Sequence, residues 1–173
     1  LVMTQGGIDE IVRGIAGTLS QEIDNHIIDD VRNFLFGPPG AGGFDLVTLN
    51  LQRGRDHGIP DFNTVREAYG LEPIESFASI TDDPVLIERL TALYGTVDRL
   101  DLWVGGLVES PYGLGLVGET FHTIIADQFT RLRDGDRFWY ENRLEGDLLD
   151  LVKNTTLSDV ILRNTNTEFL QAD

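Results

Sequence analysis

Apolar residues recur along this chain at helical spacing, and nowhere do they alternate convincingly with period two. A stripe returning roughly every three to four residues is buried by a helix, whereas a half-buried strand needs strict alternation. The pattern predicts an all-α, loop-rich fold with little β and no internal repeat. Ile8, Ile11, Val12 and Ile15 form the first stripe. Ser20-Gln21-Glu22 then opens a second helix, with Ile23, Ile27, Val31, Phe34 and Leu35 on one face and Asp24, Asp29 and Asp30 on the other. The Gly/Pro run from Gly37 to Gly43 breaks it, because proline removes donors and glycine permits positive φ. Leu46 to Gly58 reads as a compact polar segment. Pro60 stands where a helix carrying Phe62, Val65, Arg66 and Tyr69 begins, and Gly70 stops it. Asp82-Asp83-Pro84 caps a helix over Val85 to Tyr94 that ends at Gly95. Leu100, Trp103, Val104 and Leu107 put Val97 to Val108 in one helix, and Ser110 to Gly118 is a loop. The longest pattern runs from Gly118 to about Arg133. Leu148 to Val152 and Ser158 to Arg163 are shorter helices, the latter with Ser158 as N-cap.

A chain of 173 residues allows one domain and hardly two. With 41% hydrophobic residues it can bury a core, which excludes low-complexity disorder. There are 29 acidic against 13 basic residues, a formal charge of -16. Such a surface repels phosphate backbones and anionic lipid, which argues against nucleic-acid and membrane-surface partners. The absence of cysteine excludes disulfides, a thiolate metal site, a cysteine nucleophile and thiolate-ligated haem within these residues. No apolar stretch has the length of a membrane span. Leu1-Val2-Met3-Thr4 has neither an initiator methionine nor the pattern of a signal peptide, so the chain is expected to be cut from something longer.

The three histidines, His26, His57 and His122, form no pair at zinc-helix spacing. His26 is placed on the acidic helix and His122 near the end of a loop. There is no P-loop and no nucleophile elbow. Asn154-Thr155-Thr156 matches a glycosylation sequon, relevant only in a eukaryotic secretory setting. One segment stands apart, from Leu49 to Pro60. Asn50, Arg53, Arg55, Asp56 and His57 gather an amide, two guanidiniums, a carboxylate and an imidazole between apolar neighbours. Two readings are open. Arginines in such a setting suit bidentate capture of a planar anion, and the same residues can form a polar knot that satisfies loop backbone.

The run Leu49 to Pro60 resembles the signature of the animal-type haem peroxidases, the family of myeloperoxidase, thyroid peroxidase and peroxidasin. Further runs fall in that family's order: Gln5 to Asp9 with Arg13-Gly14, Leu35-Phe36, Asp61-Phe62-Asn63 followed by Arg66, Asp101 to Gly106, Gln128-Phe129 with Leu132 to Asn142, and Ile161 with Asn164-Thr165. The resemblance covers essentially the whole chain. It implies that residues 1–173 are the C-terminal part of a haem peroxidase domain, the helical portion of that fold. The lack of cysteine and the acidic, lysine-poor composition point to a bacterial member.

The resemblance implies a haem environment residue by residue. Asn50 matches the asparagine that accepts the Nδ1–H of the proximal histidine, a bond that fixes the imidazole tautomer and makes it more electron-donating. Arg53 matches the arginine paired with a haem propionate. Leu35, Phe36, Leu46 and Leu49 match positions packing near the proximal face. Arg55 and Asp56 are read as structural, and His57 as no iron ligand, since the family's axial histidine comes earlier. The proximal histidine, the distal histidine and arginine, the carboxylates that can esterify haem and the calcium loop all lie upstream of the matched region. The implied cofactor is haem b, with covalent attachment decided by those upstream carboxylates and calcium expected only there. The implied reaction is reduction of hydrogen peroxide with oxidation of a halide or organic donor, in a secreted or extracellular enzyme responding to oxidative stress. Its partners are haem, the N-terminal part of the same domain, hydrogen peroxide and a small electron donor. Alternatives are a fatty-acid dioxygenase or cyclooxygenase-like haem enzyme on the same scaffold, and a degenerate, non-catalytic interaction module.

Overall fold

The structure is a computed structural model and describes residues 7–35, 37 and 44–170. In chain order the helices are α1 (Ile8–Ala16), α2 (Asp29–Arg32), α3 (Leu46–Asp56), α4 (Phe62–Ala68), α5 (Pro84–Tyr94), α6 (Leu102–Val108), α7 (Glu119–Gly135), α8 (Gly146–Lys153) and α9 (Leu157–Asn164). Single 3-10 turns lie at Phe77–Ser79, Val97–Arg99 and Tyr140–Asn142. Among the described residues there is no strand, only an isolated antiparallel bridge between Asp61 and Asp101. No helix among them is long and apolar enough to cross a membrane.

Acidic side chains fix most of the helix starts in the central part. A capping carboxylate satisfies amides that the first turn leaves without partners. Asp45 accepts from Val47 N at 2.9 Å and Thr48 N at 3.4 Å. Asp61 accepts from Thr64 N at 3.0 Å. Asp83 does the same for Val85 N at 2.9 Å, with Pro84 in the first turn. Gly95, at φ 74, ends α5 in a conformation that favours glycine.

The chain divides into two compact units, Glu22–Thr130 and Leu1–Gln21 with Arg131–Asp173. The core of the first is Phe62, Phe77, Ile80, Leu90, Val97, Leu100 and Val108. Phe62 and Leu100 are fully buried, each contributing about 1.5–3 kcal/mol relative to exposure. The Phe62 ring lies so close to Gly105 that a Cβ there would collide with it. Phe62 N also donates to Leu100 O at 2.8 Å, which joins the start of α4 to the start of α6. Asn63 donates to Ile74 O at 3.0 Å and accepts from Ile74 N at 2.9 Å, so one amide anchors the chain after α4.

In the second unit, Asn166 ties the chain after α9 to α1. Its backbone N–H donates to Asp9 Oδ2 at 3.0 Å, and its side-chain Oδ1 accepts from Arg13 at 2.6 Å. Thr156 and Asp159 form a reciprocal capping box at the start of α9. Glu141 accepts from Trp139 Nε1 at 3.1 Å and pairs with Lys153 at 2.8 Å.

Several expectations change. The helix predicted from Ser20 to Leu35 shrinks to α2. The Asp24 carboxylate takes the His26 amide at 2.7 Å, a local bond that offers the backbone an alternative to helix. His26 therefore lies on no helix. Leu46 to Gly58 is not merely a polar segment, because Leu46–Asp56 is the helix α3. The single helix expected over Val97 to Val108 is a 3-10 turn and α6, separated at Leu100 and Asp101. His122 sits in the first turns of α7, its ring 5.2 Å from that of Tyr112. Thr156, not Ser158, caps α9. Phe36, residues 1–6 and the Pro/Gly run 38–43 lie outside the described residues.

Candidate functional site

Helix α3 carries the site. Asn50 and Arg53 stand three residues apart, which places them on one face. Both line a cavity of about 370 Å³ in the unit Glu22–Thr130. Leu51, Ile59, Pro60, Leu102, Trp103 and Phe121 give it a mostly apolar wall, and Gly54, His57 and Asp101 complete it.

The polar residues of the helix divide into two groups. Arg55 donates to Asp101 through Nε at 3.1 Å and Nη2 at 2.7 Å, a bidentate pair. Tyr94 adds a bond to the same carboxylate at 3.0 Å. Asp56 accepts from Gln52 at 2.7 Å. By contrast, the side chains of Asn50 and Arg53 have no hydrogen-bond or ion-pair partner among the described residues. Asn50 is half-buried and Arg53 exposed. Arg55 and Asp56 are thus held within the protein, but by the side chains of Asp101 and Gln52 and not, as in the knot reading, by loop backbone; Asn50 and Arg53 remain available to a ligand.

Electrostatics follows the same division. The Arg55 bond holds the Asp101 carboxyl below its ordinary value, against the opposing effect of burial. Burial, with the Asp101 bond second, pushes the Tyr94 phenol up to about 12. Tyr94 is therefore a fixed donor and Asp101 a fixed anion at physiological pH.

The remaining residues singled out from sequence are less concentrated. Leu46 and Leu49 are on α3, half-buried and partly exposed, but do not line this cavity. Leu35 is half-buried beyond the end of α2 and also stands outside the wall. Phe36 lies outside the described residues. Trp103, Leu102 and Phe121, unassigned from sequence, are wall residues. The Asp101 to Gly106 run was the available signal for two of them. Among the described residues no cluster of three or more His, Asp or Glu could hold a metal ion.

A second polar centre lies behind α6. Arg66 is buried and donates to Glu109 at 2.7 Å, Thr120 at 2.8 Å, Glu119 at 2.9 Å and the Glu72 carbonyl at 2.7 Å. It binds α4 to the end of α6 and the start of α7. Burial raises the Glu109 carboxyl above its ordinary value, opposed by bonds from Thr120 and by Arg66.

Comparison with known proteins agrees with the sequence resemblance. The family described as animal haem peroxidase matches residues 1–173. Peroxinectin A of Dictyostelium discoideum is 45% identical over 160 residues, 92% of this chain and 30% of that protein. The solved structure of peroxidase A from Dictyostelium discoideum has a TM-score of 0.83 at 46% identity, covering 92% of this chain and 31% of that one. The Oryza sativa fatty acid alpha-dioxygenase structure has a TM-score of 0.80 at 28% identity, covering 93% of this chain and 28% of that one. The chain thus spans less than a third of the length of each of these proteins. A family match over the full sequence, a shared fold and close identity lead to one conclusion: this chain belongs to the animal haem peroxidases.

Proposed function

We propose that this chain is the C-terminal part of a haem peroxidase domain and forms the proximal side of its haem site. The observation that carries the reading is the contrast on α3. Arg55 and Asp56 are satisfied within the protein, while Asn50 and Arg53 face an apolar-walled cavity without partners. A flat apolar macrocycle with anionic side groups, its iron bound by an imidazole, would need such a set: apolar wall, cation and amide acceptor.

When bound, haem b would supply the iron centre through which hydrogen peroxide is reduced. The Asn50 carboxamide oxygen accepts the N–H of an imidazole supplied by the N-terminal part of the same domain. That bond holds one tautomer and one ring orientation, and increases donation from the opposite nitrogen. Arg53 pairs with a carboxylate of the cofactor; its planar fork favours a bidentate bond over a point contact. Leu102, Trp103 and Phe121 keep water from the amide, which strengthens its bond. Leu35, Leu46 and Leu49 stand outside that wall, and their packing near the proximal face and its helices is proposed from the family resemblance alone. Proton transfer on peroxide belongs to upstream residues, as do any calcium and any ester link to haem. A secreted or extracellular setting, with a small electron donor as second substrate, goes with this reading.

The alpha-dioxygenase likeness supports a second reading, in which the same scaffold oxygenates a fatty acid. Identity favours the peroxidase: 46% to peroxidase A against 28% to the dioxygenase. One experiment tests both. The haem-loaded full-length protein is given hydrogen peroxide with iodide or a phenol, and separately oxygen with palmitate. Peroxide-dependent donor oxidation is expected. Oxygen uptake with palmitate and no peroxide turnover would establish the second reading, and a protein that takes up no haem would overturn both.

A further inference from the structure

Helix α3 presents Asn50 and Arg53, yet it is weakly anchored by apolar packing. None of its residues is fully buried, and Leu49 is 37% exposed. Its side-chain hydrogen bonds to other helices, among the described residues, all run from Arg55 to Asp101. Asp101 is an unusual acceptor. It occupies the N-cap position of α6, where an aspartate ordinarily caps its own helix, but its side chain makes no cap bond. The carboxylate is instead spent on Arg55 and on the Tyr94 hydroxyl. Its backbone meanwhile pairs with Asp61 in the isolated bridge and starts α6 by accepting from Gly105 N at 2.9 Å. One residue therefore connects α3, α4, α5 and α6, and it also lines the cavity beside Asn50 and Arg53.

We infer that the Arg55–Asp101–Tyr94 cluster is a positioning clamp that holds α3 in register, so that the Asn50 amide and Arg53 guanidinium meet the cofactor at fixed places. This inference rests on the proposed haem reading. Neither Arg55 nor Asp101 is assigned contact with the cofactor; both act through α3. The geometry suits the task. A bidentate guanidinium–carboxylate pair constrains orientation as well as distance, and the tyrosine bond prevents the carboxylate from rotating away. A lysine could supply the charge but not the fork.

The test uses the full-length protein as wild type, Asp101→Asn, Arg55→Lys, Asn50→Ala and the Asn50→Ala/Asp101→Asn double variant. The first readout is amide hydrogen exchange without haem. Residues 46–56 should exchange about tenfold faster in Asp101→Asn, as expected when a tether is lost and the element opens locally, while residues 62–68 keep their protection. Arg55→Lys should fall between wild type and Asp101→Asn. The second readout is the haem Fe(III)/Fe(II) potential. Asp101→Asn should move it in the same direction as Asn50→Ala, and adding Asp101→Asn to Asn50→Ala should move it little further, because both act on one bond. Unchanged exchange over 46–56, or full additivity of the two potential shifts, overturns the clamp while leaving the haem reading standing. A wild-type protein that binds no haem overturns that reading, and the inference falls with it.

Discussion

Arg66→Ala is expected to be among the most damaging single substitutions in the unit Glu22–Thr130. Arg66 is 7% exposed and spends its guanidinium on four oxygens. The cost is unevenly spread among them. Glu72 is exposed, so its carbonyl can turn to water, and the Glu119 side chain is 39% exposed and can be resolvated. Glu109 cannot, since its side chain is only 10% exposed. It keeps the bonds from Thr120 N at 2.8 Å and Thr120 Oγ1 at 3.0 Å, which soften the loss. Removing one partner of a buried ion pair costs about 3–5 kcal/mol, and the retained Thr120 bonds place this case near the lower end, about 3 kcal/mol. Urea unfolding at neutral pH reads it as a fall in midpoint of about 1–3 M at ordinary slopes.

The pH dependence of that defect identifies its source. The native Glu109 carboxyl titrates above its ordinary value of 4.5. A raised native value contributes stability that is complete below 4.5 and lost as pH rises through the native value. Without Arg66 the native value rises further, so the Arg66→Ala defect should be largest at neutral pH and shrink toward 4.5. A loss at neutral pH below about 1 kcal/mol, the median range of exposed pairs, would refute the assignment of Arg66 as a buried tie.

Three further outcomes follow from named contacts. Gly105→Ala drives a methyl into the fully buried Phe62 ring and should cost about 1–3 kcal/mol in urea unfolding despite the gain in helix propensity. Arg53→Ala in the haem-loaded protein should speed haem transfer to a scavenger protein while leaving the reduction potential nearly in place, because it loosens a carboxylate and not the axial bond. His57→Ala should leave the histidine-ligated absorption spectrum intact although His57 lines the cavity; loss of that spectrum would make His57 the ligand.

What could be read in sequence was what is decided locally. Asp83-Pro84 gave the start of α5 and Gly95 its end, because caps act within a turn. Thr156 and Ser158 both offer a hydroxyl at the start of α9, and only the reciprocal Asp159 bond decides for Thr156. Periodicity does not reveal α3, because its apolar residues end at Leu51 and Gln52 to Asp56 continues the helix without them, while an Asp45 cap starts it. The break at Leu100 and Asp101 was invisible for the opposite reason. The carboxylate that interrupts the pattern is held by Arg55, 46 residues earlier. Arg66 was legible as an apolar-face neighbour of Phe62 and Val65, but its acceptors at Glu109 and Glu119 lie 43 and 53 residues on. Asn50 and Arg53 were reached through the resemblance of the Leu49 to Pro60 run, since composition alone left capture and knot open. The geometry adds the division between paired and unpaired side chains, which no spacing rule contains.

The most direct test of the proximal role is spectroelectrochemistry of Asn50→Ala in the haem-loaded, full-length protein. Removing the amide leaves an imidazole N–H without an acceptor at a half-buried site, at a cost on the order of 1–3 kcal/mol. The axial ligand then donates less strongly, so the Fe(III)/Fe(II) potential should rise and haem should be held more weakly. A potential, ligation state and peroxide turnover all equal to wild type would contradict the assignment of Asn50 as the acceptor on the proximal side.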